Sequence, residues 1–193
     1  STIVDAGCGE GYYLEQLATQ IGSSSHCRPS IIGFDISKWA VQAATRRLAA
    51  TWLVASNRNI PLAPHSVDCL LSLFGFPMFN SFRSVLKKEG TLLMVDAGPQ
   101  HLIELRKVIY PEVRRSESTM LTQACAAGFS EGETSTLQFL TDPLSQLQIH
   151  QLLSMTPHLF RATREGKQRA ARLDHVSVTV DVVFQRLHKG GNT

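Results

Sequence analysis

Short β-branched, apolar runs alternate along this chain with stretches of helical period, which predicts strands and helices in alternation and a parallel sheet. Ile3 and Val4 end the first run, and Tyr13, Leu14, Leu17, Ala18 and Ile21 then recur at helical spacing. A second strand follows at Ile31–Asp35. Ser37 caps a helix to about residue 50, with Trp39, Ala40, Ala43, Ala44 and Leu48 on its buried face. Thr51–Ala55, Cys69–Phe74 and Thr91–Asp96 read as strands three to five; the fourth is apolar enough for mid-sheet. Helices are expected over Phe79–Lys88, with Lys87-Lys88-Glu89-Gly90 as exit turn, and from about His101 to Tyr110. The last third predicts a helix at 118–127 ended by Gly128 and a strand at Ser135–Thr141. Asp142-Pro143 then opens a helix to about Met155, and a long strand closes the pattern at Val176–Leu187.

Composition changes this picture little. The 193 residues, 43% of them hydrophobic, fit one domain over 1–193, divided into a half at 1–115 and a half at 116–193. No apolar run approaches a membrane span and no signal-peptide pattern opens the chain. Cys8, Cys27, Cys69 and Cys125 are scattered without a C-x-x-C pair, so neither a zinc site nor a disulfide frame is indicated and the expected compartment is cytoplasmic. A net charge of +3 is compatible with a polyanionic partner without demanding one. The chain opens two residues before a core strand, so a fragment of a longer protein is expected.

The candidate chemistry lies at the first strand-to-helix turn. Asp5 is followed by Gly7, Gly9 and Gly11 and then by a helix. Glycines permit positive φ and let a ligand lie on the backbone, and the helix start favours a carboxylate or phosphate. A dinucleotide fingerprint is G-x-G-x-x-G; here the spacing is G-x-G-x-G and the sixth position is Tyr12. Asp35 ends the second strand, placed to accept both hydroxyls of an adenosine ribose. This combination resembles the class I methyltransferases that use S-adenosylmethionine. Another kind of nucleotide-binding domain, or a plain αβ turn, is the competing reading.

Elsewhere the signals are weaker. Ala55 and Ser56 stand where many such enzymes carry an acid for the adenine amino group, leaving Ser56, Asn57 or backbone groups for that task. Phe74 and Phe76 flank the end of strand four and read equally as stacking or core residues. No Asn/Asp-Pro-Pro-Tyr/Phe motif stands there, which argues against exocyclic-amine chemistry. His26 and Cys27 read as loop decoration rather than a metal pair. Arg161, Arg164, Lys167, Arg169 and Arg172 form a basic stretch near Phe160, either a solvated face or an RNA-backbone contact.

Taken together, Asp5-Ala-Gly-Cys-Gly-Glu-Gly-Tyr-Tyr13, Phe34-Asp-Ile-Ser-Lys38, Val54-Ala-Ser56, Gly98-Pro-Gln-His-Leu-Ile-Glu-Leu105, Ile109-Tyr-Pro-Glu-Val113 and Met155-Thr-Pro157 followed by Phe160-Arg-Ala162 resemble, nearly end to end, the RlmA family of 23S rRNA guanine-N1 methyltransferases. The resemblance implies a seven-stranded, mostly parallel sheet with helices on both faces and an antiparallel last strand. It implies S-adenosylmethionine as cofactor, held by Asp5, Gly7, Gly9, Glu10, Gly11, Asp35, Ser56 and His101. It also implies a 23S rRNA hairpin as substrate, met by Phe76, Arg161 and Arg164, and a homodimer. Three departures stand out: the family's N-terminal zinc module and its linker tyrosine do not occur here, Lys-Pro-Gly-Gly is replaced by Lys87-Lys-Glu-Gly90, and the strand-four exit differs. Guanine N1 is protonated at neutral pH, so a base should assist; Asp96 and Glu104 are the candidates, each also readable as structural. A methyltransferase for a small metabolite, or a non-catalytic RNA-binding or dimerisation module, are the alternatives.

Overall fold

A computed structural model describes residues 1–24, 29–112, 119–156, 158 and 162–190. The first strand, β1 (Thr2–Ala6), leads through the glycine turn into α1 (Tyr12–Ser24), and β2 (Ser30–Asp35) into α2 (Lys38–Ala44). Then come β3 (Thr51–Val54), β4 (Val67–Leu73), α3 (Phe79–Val85) and β5 (Leu86–Ala97). After α4 (Ile103–Ile109) and α5 (Met120–Ala126), a long β6 (Phe129–Leu140) precedes β7 (Leu144–Ser145) and α6 (Gln146–Ser154). The described elements end with α7 (Arg164–Ala171), β8 (His175–Val176) and β9 (Thr179–Lys189).

The main sheet has seven strands in the order β3-β2-β1-β4-β5-β9-β6, and β7 pairs with β8 in a separate two-stranded ribbon. Strands β1 to β5 run parallel, with Val4 opposite Ile32 and Leu70. The last strand is antiparallel to β6: Gly190 N–H donates to the Gly128 carbonyl and the Ser130 hydroxyl to the His188 carbonyl. Connections reverse direction on either side of β1, so the β1 and β4 carboxyl ends flank the crevice where open α/β sheets bind ligands.

The chain divides into two compact units interleaved along the sequence: Ser1–Asp96 with Ser118–Ser135 and Phe184–Thr193, and Ala97–Glu117 with Thr136–Val183. In the first, Val4, Ala6, Phe34, Leu70, Leu92 and Met94 share one sheet face and pack with Phe79, Phe82 and Val85 of α3 and Ala124 of α5. In the second, Leu102, Leu105 and Ile109 pack with Ile149, Leu153, Ala170 and Val178. Gly166 is required there, because a Cβ would run into the Ile109 carbonyl.

Several boundaries differ from those the pattern predicts. Helix α2 has the Ser37 cap, its hydroxyl accepting from Ala40 N–H, but ends at Ala44. Only Val41 and Ala44 of α2 are buried, and Trp39 is 70% exposed. Over seven residues the inward face needs just two positions, one turn apart, and Trp39 lies off that face. Lys87-Lys88-Glu89-Gly90 is not a helix exit but part of β5: two residues of β4, Val67 and Cys69, oppose Leu86 and Thr91, so the extra residues form a bulge. Ser145, not Asp142, caps α6, in a reciprocal capping box with Gln148. The final long strand is split into β8 and β9.

Candidate functional site

The turn after β1 is built almost wholly of backbone. Gly7, Gly9 and Gly11 have φ of 86°, 53° and 78°, a left-handed series only glycine adopts without strain. Gly7 and Cys8 both donate to the Phe34 carbonyl, at 2.9 and 3.0 Å, which ties the turn to the end of β2. A Cβ at Gly7 or Gly9 would meet nothing within 4 Å, so that space is free for a ligand. Gly11 serves packing instead: a Cβ there would lie 2.7 Å from the Trp52 indole, which also lies against Gly33. Trp52 thus floors the turn, held by its indole N–H on the Leu48 carbonyl at 3.0 Å.

Asp35 closes the cradle. One carboxylate oxygen accepts from Gly9 N–H at 3.0 Å and the other from Ser37 N–H at 2.8 Å. Each oxygen keeps lone-pair capacity for a further donor, which a ribose diol would supply. Asp35 and Gly7 line a cavity of about 520 Å³, with Ile36, Ala55, Ser56, Asn57, Arg58, Gly75, Phe76 and Met78. That volume lies in the range of pockets for small ligands and cofactors. Ser56 and Asn59 bracket a tight turn in which Asn59 N–H donates to the Ser56 carbonyl at 3.0 Å. Asn57 donates its side-chain amide to the Phe76 carbonyl at 2.9 Å, joining two walls of the cavity. Phe76 is 82% exposed, so the structure separates it from the core.

A buried carboxyl and a buried thiol sit beneath the cradle. Asp5 is 2% exposed, and its Oδ1 has no hydrogen-bond partner. Burial, and secondarily the Asp35 carboxylate, push its pKa up to about 7. Burial, with Asp5 and Asp35 adding to it, also pushes the Cys8 thiol up to about 12, which makes it an inert packing group. Glu10 is exposed and pairs with Arg47 at 3.8 Å.

The remaining sequence candidates fall in different places. Asp96 ends the first unit's share of β5, half-buried, and burial raises its pKa. His101, Glu104 and Arg164 belong to the second unit. His101 Nδ1 accepts from Asp181 N–H at 3.2 Å, which puts the proton of the neutral ring on Nε2. Burial holds the imidazole below its ordinary pKa, against the pull of Asp181. Both Glu104 oxygens are occupied by Thr179, one by its N–H at 2.8 Å and one by its hydroxyl at 2.6 Å. Burial opposes ionisation of Glu104, but these bonds, its own backbone N–H and Lys107 outweigh burial and lower its pKa. Arg164 opens α7, exposed, as is Lys167, while Arg169 is tied to the Val108 carbonyl at 2.8 Å. Arg161, His26 and Cys27 lie outside the described residues.

Asp181 is absent from the sequence candidates, though a lone acid between Val180 and Val182 was its signal. It is buried, and its carboxylate accepts from Gln100 N–H at 2.8 Å. A Cβ on Gly98 would collide with that carboxylate, which explains the glycine in Gly98-Pro-Gln-His101. Among the described residues, no three His, Cys, Asp or Glu side chains converge as metal ligands.

A methyltransferase-domain family model matches residues 3–94, the span holding the cradle, Asp35 and the cavity walls. Over that span the chain is similar to the methyltransferase-domain family. A Bacillus subtilis (strain 168) relative, YxjB, provisionally named a 23S rRNA (guanine-N(1)-)-methyltransferase, is 30% identical over 94% of the chain and 64% of its own length. A second, from Micromonospora griseorubida and with the same provisional name, is 31% identical over 53% of the chain and 34% of its own length. The chain therefore spans less than two thirds of either relative. Among solved structures, a provisionally assigned methyltransferase from Bacillus halodurans superposes with a TM-score of 0.63 at 15% identity, over 98% of this chain and 93% of that one. This methyltransferase fold is reached with little sequence in common.

Proposed function

We propose that the chain binds S-adenosylmethionine in the Gly7–Asp35 cradle and directs methyl transfer to N1 of a guanine in a 23S rRNA hairpin. The observation that carries the cofactor assignment is the Gly9–Asp35 hydrogen bond, which holds an open glycine turn and a carboxylate against one cavity. The provisional names of the two relatives support the guanine-N1 part.

When bound, S-adenosylmethionine supplies a methyl group on a sulfonium, already activated for transfer to a nucleophile. The chain's own work is positioning. Gly7 and Gly9 leave room for the ligand to lie on the backbone, and Asp35 accepts from the ribose hydroxyls. Ser56, Asn57 and Phe76 line the same cavity; the first two serve the adenine base and Phe76 the guanine. Asp96 takes the N1 proton of the guanine. It suits that role better than Glu104, because burial raises the pKa of its carboxyl whereas Glu104 is committed to Thr179. Arg164 and Lys167 meet the RNA backbone, Arg161 joining them, and the working protein is a cytoplasmic homodimer. No helix among the described residues is long and apolar enough to cross a membrane.

The test is incubation with methyl-labelled S-adenosylmethionine and a 23S rRNA hairpin, then nucleoside analysis. Label in 1-methylguanosine is expected. Label in another nucleoside, or transfer to small metabolites only, refutes the guanine assignment.

A further inference from the structure

The mouth of the cavity carries aromatic surface that cofactor binding does not use. Phe74, between β4 and the cavity residues Gly75 and Phe76, has φ of 54°. A left-handed backbone is unfavourable for a bulky side chain, and such strain persists where the surroundings enforce it, often at functional sites. Here the enforcement is visible: Phe74 N–H donates to the Val95 carbonyl at 2.8 Å, which ties the end of β4 to β5. The ring that results is 46% exposed.

Tyr13 reaches the same place from the other side of the cradle. It stands in the first turn of α1, 52% exposed, with its ring centroid 6.4 Å from that of Phe74 at 40° between planes. Tyr12 buttresses it edge-on at 5.4 Å, and the Arg47 guanidinium lies 6.0 Å over the Tyr12 ring. A hydrophobic core would bury these rings, and a mere solvent face would not need an aromatic at a strained position.

We propose that Tyr13 and Phe74 form a shelf that stacks on an unpaired base of the RNA, the target guanine or its immediate neighbour. The proposal rests on the RNA reading given above and adds the residues that hold the base. Stacking on aromatic side chains is the usual way proteins hold unpaired bases.

Phe74→Gly separates shelf from fold, because glycine adopts this φ freely and the variant loses only the ring. Phe74→Leu keeps apolar bulk without an aromatic face, and Phe74→Tyr restores the face. Affinity for the 23S rRNA hairpin is measured by filter binding, and S-adenosylhomocysteine affinity by calorimetry. Expected is a loss of RNA affinity of roughly 5- to 150-fold in Phe74→Gly, Phe74→Leu and Tyr13→Ala, near wild-type RNA binding in Phe74→Tyr, and unchanged cofactor affinity in all four. Wild-type RNA binding by Phe74→Leu and Tyr13→Ala overturns the shelf while leaving the RNA reading intact. Failure of the wild-type protein to bind the hairpin overturns both.

Discussion

The amide of Gly9 donates to Oδ2 of Asp35 across 3.0 Å, linking the glycine turn after β1 to the end of β2. Two glycines near this bond fail in different ways when altered. Gly9→Ala places a Cβ in open space at φ 53°, so the fold should lose only about 1–2 kcal/mol while the methyl group occupies ligand space. Gly33→Ala instead drives a Cβ into the Trp52 ring, and overpacking should cost about 1–3 kcal/mol or more. Urea melts should show the larger loss in Gly33→Ala. Calorimetry should show a loss of S-adenosylhomocysteine affinity in Gly9→Ala that exceeds what its stability change explains.

Asp5 gives the fold a pH dependence of definite sign. Its carboxyl holds a proton in the native state up to about pH 7 but releases it near the ordinary value of 3.8 when unfolded. Its contribution is therefore complete below pH 3.8 and is lost as pH rises through 7, because the native state binds the extra proton. Asp5→Asn removes that slope. The melting temperature of the variant relative to wild type should climb between pH 5 and pH 8; a difference that is flat or falls with pH contradicts the assignment.

Asp96 and Glu104 are separated by one pair of isosteric variants. Asp96→Asn should lower kcat at least tenfold, with S-adenosylhomocysteine affinity and melting temperature little changed. Glu104→Gln weakens the clamp on Thr179 and should lower stability by about 1–3 kcal/mol while sparing kcat measured well below the melting point. The reverse pattern would move the proton acceptor to Glu104.

The exposed cations of α7 should reveal themselves through salt. Arg164→Ala and Lys167→Ala should each weaken hairpin binding and reduce the slope of log affinity against log salt by about 0.7–0.9 for each phosphate no longer neutralised. Unchanged slopes would make this helix a solvated face.

Much of the frame around the cradle was legible in the sequence, because local chemistry decides it. The alternating glycines take positive φ, β2 ends at Asp35, and Ser37 caps α2. Where distant partners decide, the sequence was a poorer guide. Ala44 is buried as its spacing implies, but Trp39, with the same spacing, is exposed and Val41 is buried instead. Lys87-Lys88-Glu89-Gly90 has turn composition but is carried by β5 as a bulge against β4. The roles of Trp52 beneath Gly11 and Gly33, and of Asp181 against Gly98, depend on neighbours far apart in sequence. Glu104 illustrates the same limit: its place near a sheet edge suggested a base, and only its Thr179 partner, 75 residues away, reveals a clamp.

The most direct measurement is calorimetric titration of the chain and of Asp35→Ala with S-adenosylhomocysteine, both proteins first shown to be folded. The cradle predicts saturable one-site binding by wild type and a loss of at least tenfold in affinity in Asp35→Ala, the effect of removing charge-assisted hydrogen bonds to the ligand. Equal affinity of the two proteins, or no binding by the folded wild-type chain, would contradict the assignment of this cradle as the cofactor site.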